Sequence, residues 1–157
     1  DYRLNMIVDL VENLGVSFKW YAIERHYQDA LKRVKNKQTI EKIYSGFIDN
    51  EQDMAKAINK TKIVINMNSQ GVSSLNYRTM QTLACKRLLI SDERKELDLF
   101  DNKIPIYKNS EDLKEKIMFY LHNEQEYNRV TEYCEKICRE KYSSIEGVKY
   151  ILEKIKV

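Results

Sequence analysis

Thr61-Lys-Ile-Val-Ile-Asn-Met67, Asn68-Ser-Gln-Gly-Val-Ser-Ser74, the segment from Leu75 to Cys85, and Arg87-Leu-Leu-Ile-Ser91 follow one another without interruption. The first and last are short apolar runs of strand length, the second is polar, and the third predicts a helix over about 75–85. Two parallel strands require a long connection that returns the chain to its starting end, usually a helix. Strand, polar loop, helix and strand in this order therefore predict a parallel βαβ crossover.

The flanking sequence repeats that alternation. Upstream, Leu4, Ile7, Val8, Val11 and Leu14 recur at helical spacing before Gly15, and Val16–Ile23 is apolar and aromatic enough for a strand with Trp20 in the core. Residues 24–42 read as an exposed connection with one short helix, since Ala30, Leu31, Val34 and Ile40 make an incomplete repeat. Lys42–Tyr44 is a candidate short strand. Asp49 with Gln52 is a candidate cap for a helix carrying Met54, Ala55 and Ile58.

Downstream, Lys103–Tyr107 predicts an edge strand, because Pro105 has no N–H to donate. Three helices follow, marked by Leu113, Ile117, Tyr120 and Leu121; by Tyr127, Val130, Cys134, Ile137 and Cys138; and by Ile145, Val148, Leu152 and Ile155. Asn123 with Glu126 and Ser143 with Glu146 form capping boxes for the last two. The expected architecture is α/β, a Rossmann-like three-layer domain with a parallel sheet of four to six strands and C-terminal helices.

Composition excludes several classes. With 157 residues, 43% hydrophobic, 32% charged and a single proline, the chain has enough apolar surface to fold as one domain, and disordered or collagen-like chains are ruled out. Lys and Arg total 27 against 24 Asp and Glu, a small imbalance between two interleaved populations, and only residues 25–42 lean basic, so no nucleic-acid partner is expected. Cys85, Cys134 and Cys138 cannot all pair within the chain, and Cys134 and Cys138 suit one buried stripe. A reducing, cytoplasmic location is expected. No apolar run approaches a membrane span, although work on substrates delivered at the inner membrane, through peripheral attachment, is compatible with this reading. Because the chain opens on Asp1 and is almost at once in helical periodicity, it is expected to be a piece of a longer polypeptide.

The chemistry concentrates at the carboxyl ends of the predicted strands, where parallel α/β sheets bind ligands. In segment 68–78, Gly71 permits a tight turn, Ser69, Ser73 and Ser74 offer hydroxyls, and the N–H groups opening the next helix favour an anion. Arg78 adds a charge-assisted contact to a phosphate or carboxylate. The alternative is that these Ser and Asn residues only cap the helix while Arg78 faces solvent. Neither a nucleoside-triphosphate loop nor a dinucleotide Gly-x-Gly-x-x-Gly is present. Glu93 or Glu96 can accept from sugar hydroxyls, and Tyr44 and Phe47 around Gly46 can line a base or sugar pocket. No clustered His and Asp and no Asp-x-Asp argue for a metal.

Lys62-Ile-Val-Ile-Asn66, the helix Asn76-Tyr-Arg-Thr-Met-Gln-Thr-Leu-Ala-Cys85 and Leu88-Leu-Ile-Ser-Asp92 resemble the carboxyl-terminal domain of two-domain GT-B glycosyltransferases. The resemblance is to the branch that includes spore-maturation and spore-coat glycosyltransferases. The Gly46-Phe-Ile turn, Ile106-Tyr107, Ser110-Glu-Asp-Leu and Tyr120-Leu121 extend it in the same order. The resemblance implies that this chain is the C-terminal half of a GT-B fold and binds a nucleoside diphosphate sugar as donor substrate, without a cofactor or metal. It implies an N-terminal domain that supplies the acceptor site and the general base; the saccharide, protein or lipid acceptor stays open. Asn76 and Arg78 match the family's Asn and Arg, and Gly46 and Phe47 fall on the base side. Gln81 replaces the expected Glu, and Lys86 the expected Gly. Those two departures keep a non-catalytic Rossmann-like interaction or regulatory domain as the competing reading.

Overall fold

The computed structural model of the chain describes residues 2–67 and 75–155. They form a mixed α/β domain: α1 (Tyr2–Asn13), α2 (Glu24–Arg33), α3 (Lys37–Ile43), α4 (Glu51–Asn59), β1 (Ile63–Asn66), α5 (Tyr77–Ala84), β2 (Leu88–Ser91), a 3-10 turn (Lys95–Phe100), α6 (Ser110–His122), α7 (Glu124–Lys141) and α8 (Ser144–Ile155). β1 and β2 are parallel and in register from Ile63 opposite Leu88 to Asn66 opposite Ser91. The chain between them includes α5, as the crossover argument requires.

Regular pairing among the described residues is confined to these two strands, fewer than the sequence led us to expect. Two isolated parallel bridges, Trp20 with Tyr44 and Ser91 with Ile106, stand where the other expected strands lie. At the second bridge Ser91 N donates to Pro105 O at 3.0 Å and Tyr107 N to Ser91 O at 2.9 Å. Proline contributes its carbonyl there, the only backbone hydrogen-bonding group it has.

The hydrophobic core has two parts. The larger packs β2 (Leu88, Leu89, Ile90) against Leu83 of α5, Leu97 and Phe100 of the 3-10 turn, and the inner faces of α6 and α7. Burying a Leu or Ile of this kind contributes about 1.5–3 kcal/mol. The smaller gathers Ala30, Val34, Ile40 and Ile43 from α2 and α3. α1 serves both, with Met6 and Leu10 in the first and Leu4, Ile7, Val8 and Val11 against the second.

Several local expectations need correction. Residues 24–42 hold two helices, α2 and most of α3, with a shared buried face rather than an exposed connection. Their apolar positions are few because each helix is short and buries only a narrow stripe. Lys42 and Ile43 belong to α3, so of the Lys42–Tyr44 strand only Tyr44 bridges. α4 is capped one residue later than expected, by Asn50, whose Oδ1 accepts from Asp53 N at 2.8 Å. Trp20 is half-buried and packs edge-on against Tyr44, with ring centroids 6.0 Å apart. The apolar stripe of α8 is exposed, from Ile145 to Ile155.

Both helix starts are capped from one side: Asn123 Oδ1 accepts from Glu126 N at 3.1 Å and Ser143 Oγ from Glu146 N at 3.3 Å, while the Glu126 and Glu146 carboxylates pair with Arg129 and Lys149 in place of the reciprocal half of the expected boxes. Cys134 and Cys138 are free thiols in the larger core, and burial pushes them up to about 12 and about 11.

Candidate functional site

The carboxyl end of β1 is Asn66, a polar residue 1% exposed at the point where an apolar strand stops. Buried amides persist only where their hydrogen bonds are met. Asn66 Oδ1 accepts from Asn76 Nδ2 at 2.5 Å, while its Nδ2 donates to Thr79 Oγ1 at 3.5 Å and Ser91 Oγ at 3.4 Å. The end of β1, the start of α5 and the end of β2 are thereby tied through one side chain.

α5 begins at Tyr77, two residues beyond the expected start. Its N-cap is Asn76, whose Oδ1 accepts from Thr79 N at 3.0 Å and from Thr79 Oγ1 at 3.2 Å. Asn76 therefore has a capping role in the structure. Arg78 is exposed in the first turn, Gln81 is half-buried one turn later, and Tyr77 donates its hydroxyl to Glu51 Oε1 at 2.8 Å. Ser69, Gly71, Ser73 and Ser74 lie outside the described residues.

α5 ends in a Schellman arrangement: Lys86 N donates to Leu83 O at 3.0 Å and Arg87 N to Thr82 O at 3.2 Å. Lys86, the residue just past the cap, has φ 53°. Glycine suits that left-handed position, so Lys86 stands where the backbone of a helix terminus favours a residue without a Cβ.

Beyond β2, Asp92 and Arg94 form a forked pair. Arg94 Nη2 donates to Asp92 Oδ2 at 2.6 Å and Nε to Oδ1 at 3.5 Å, and Ser91 Oγ donates to Asp92 Oδ1 at 3.3 Å. The Arg94 side chain is 6% exposed, a depth at which a charge requires a partner. Asp92, 24% exposed, is the outer member of the pair.

Asp92 and Glu93 form one wall of a cleft of about 650 Å³ at the carboxyl ends of the strands. Met6, Met67 and Ile106 supply apolar lining; Tyr2 and Arg3 of α1 and Tyr107 and Lys108 complete it. The Tyr107 hydroxyl donates to Asn66 O at 3.4 Å. Burial, then the negative charge of Asp92, raises its ionisation well above the usual phenol range, so this phenol stays neutral and donating.

Of the described candidates from the sequence, Glu93 alone lines this cleft. Gly46, at φ 82°, accepts from Ala22 N at 2.9 Å, and exposed Phe47 lies just beyond the Trp20–Tyr44 bridge. The structure does not bring those two into the cleft lining. Arg3, Tyr107 and Lys108 were missed. Tyr107 ends the expected edge strand and Lys108 follows it, a legible position at its carboxyl end; Arg3 had no local signal.

Among the described residues no three His, Cys, Asp or Glu side chains gather as a metal site, and no helix is long and apolar enough to cross a membrane. Residues 5–153 match a family model described as glycosyl transferase-like. Comparison with curated proteins finds no match.

Proposed function

The chain belongs to the glycosyl transferase-like family, and on that premise we propose that it is the donor-binding, C-terminal half of a GT-B glycosyltransferase, of the branch that includes the spore-maturation enzymes. Its donor is a nucleoside diphosphate sugar. An N-terminal partner domain supplies the acceptor wall and the general base, and the acceptor is a hydroxyl compound. We place the protein in the cytoplasm, with peripheral contact at the inner membrane where acceptors are delivered there.

The observation that carries this reading is the parallel crossover β1–α5–β2, with the capped start of α5, exposed Arg78 and the Asp92 cleft all following strand ends. The diphosphate is placed against segment 68–78, where Arg78 and the first N–H groups of α5 meet its charge. Gly46 and Phe47 are assigned to the base side. In transfer, the bond from the anomeric carbon to the β-phosphate oxygen breaks, with its electron pair leaving on the diphosphate. The acceptor oxygen bonds that carbon and loses its proton to the partner domain's base. Donors aimed at the leaving group favour this step if their bonds strengthen as charge develops.

The half-buried Gln81 is what favours the second reading, a non-catalytic interaction domain, because an amide accepts more weakly than the family's carboxylate and adds no charge. Lys86 no longer adds to that case, given its place past the end of α5. Calorimetry of the chain with UDP, GDP and their sugars tests the donor reading. Saturable binding of one nucleotide family supports it, and no binding to any removes it. The chain alone is expected not to transfer sugar, since an isolated donor domain lacks the facing wall that fixes attack geometry. Acceptor-dependent transfer detected by product mass would overturn that division of labour.

A further inference from the structure

We propose that the exposed apolar face of α8 is a self-association surface, on which a second copy of this chain lays its own α8 antiparallel about a two-fold axis. Such pairing stands apart from donor binding and does not depend on it.

α8 is a helix of 12 residues with no buried residue among them. Helices of that length are marginal in water on their own, and Gly147 in its interior weakens it further. Packing of an apolar face normally supplies the difference. Ile145, Val148, Leu152 and Ile155 provide that face, each more than half exposed, at the 3-4-3 spacing of a two-helix seam. Ile151, also more than half exposed, borders it.

The face complements itself. Turned end for end, Ile145 meets Ile155 of the second copy and Val148 meets Leu152, so every seam residue finds an apolar partner and each contact occurs twice, as a two-fold interface requires. On one flank the two Ile151 side chains meet near the axis. On the other, Lys149 lies across from Glu153 of the second copy, a pair of opposite charge. Lys149 already pairs with Glu146 of its own helix at 2.7 Å, and the second copy sets it between two carboxylates. A parallel pair would instead place Lys149 beside Ile151 of the second copy, a charge against an apolar residue.

Glu146, Lys149, Glu153 and Lys154 of α8 sum to zero charge, so this helix has no net attraction for an anionic lipid surface and two copies do not repel. Five aliphatic side chains from each copy make a small interface, below about 1,200 Å² in total, and hence a weak, concentration-dependent dimer.

Sedimentation velocity on the full chain from about 5 to 500 µM tests this, a range chosen for a small interface. The mass is expected to rise toward twice that of one chain. Leu152→Glu is expected to weaken the dimer about tenfold or more, because the charge enters the seam twice. Amide NMR signals outside α8 are expected to stay in place, since Leu152 is exposed in the single chain. An equimolar mixture of Ile145→Cys and Ile155→Cys chains, each carrying Cys85→Ser to remove the one thiol that is not buried, is expected to form the mixed disulfide on mild oxidation. Homodisulfides in its place overturn the antiparallel pairing. A dimer that Leu152→Glu does not weaken overturns the assignment to α8. A single-chain mass at every concentration overturns self-association: co-sedimentation with anionic or zwitterionic vesicles would then assign the face to a lipid surface, and no co-sedimentation would leave it to another protein segment.

Discussion

The Asn76 amide donates to the buried Oδ1 of Asn66 at 2.5 Å, so the residue that caps α5 also closes the polar end of β1. Two elements ten residues apart in sequence share one hydrogen-bonded joint. Asn76→Ala removes the cap, about 1 kcal/mol, and leaves a buried acceptor short of its partner, a further 1–3 kcal/mol by order of magnitude. Urea unfolding is expected to give a loss of about 2–4 kcal/mol in total. A midpoint equal to that of the unaltered chain would contradict the joint's role.

Lys86 has the reverse expectation. A side chain at φ 53° carries left-handed backbone strain of about 1–2 kcal/mol, while its ion pair with Glu132 at 3.0 Å is exposed and contributes little. Lys86→Gly is therefore expected to stabilise by about 1 kcal/mol and raise the melting temperature by about 2–4 °C. Nucleotide binding is expected to be unchanged. A lower melting temperature would mean that the Glu132 contact outweighs the strain.

The α1–α6 contact gives a pH dependence. Lys114 Nζ lies 2.9 Å from Asp9 Oδ2, and the hydrogen bond from Lys114, then that from Ser110, holds the Asp9 carboxyl below its ordinary value of 3.8. The same partner holds Lys114 above its ordinary 10.5. A depressed acid contributes its full stabilisation above 3.8 and loses it as pH falls through the lowered value; a raised base contributes fully below 10.5 and loses it as pH rises through the raised one. The difference in urea midpoint between the unaltered chain and Asp9→Asn should be constant from about pH 5 to 9 and shrink below 3.8. A difference that grows in acid would refute the assignment.

Arg78 and Gln81 test the nucleotide end. Arg78→Ala is expected to weaken diphosphate binding about tenfold, the low end for a charge-assisted contact because the side chain is exposed. Folding stability should be little affected. Gln81→Glu is expected to tighten recognition of ribose or sugar hydroxyls by restoring an ionised acceptor. Titrations with UDP and GDP that are indifferent to Arg78→Ala would separate this arginine from the phosphate.

The order β1, crossover helix, β2 was legible because each element is written within a few consecutive residues. Ile63–Asn66 and Leu88–Ser91 are continuous apolar runs that end in a polar residue, and the caps at Asn123 and Ser143 act within one helical turn. The positions of Arg78, Gln81 and Glu93 on a helix turn or past a strand were readable on the same grounds. Residues 24–42 were not, since helices of ten and seven residues leave too few periods to identify a stripe that is buried between the two helices and against α1, Phe18 and Trp20. α8 shows the converse: its periodicity fixes an apolar face, while exposure or burial of that face depends on what packs there. The meeting of Arg3 with Asp92 and Lys108 around one cleft was beyond any local pattern, because it depends on α1 packing against α6 and joining the core that holds β2. Backbone periodicity and capping are short-range and survive in the sequence alone; the convergence of charges from distant segments is set by how two hydrophobic cores share α1, and that is decided only when the chain packs.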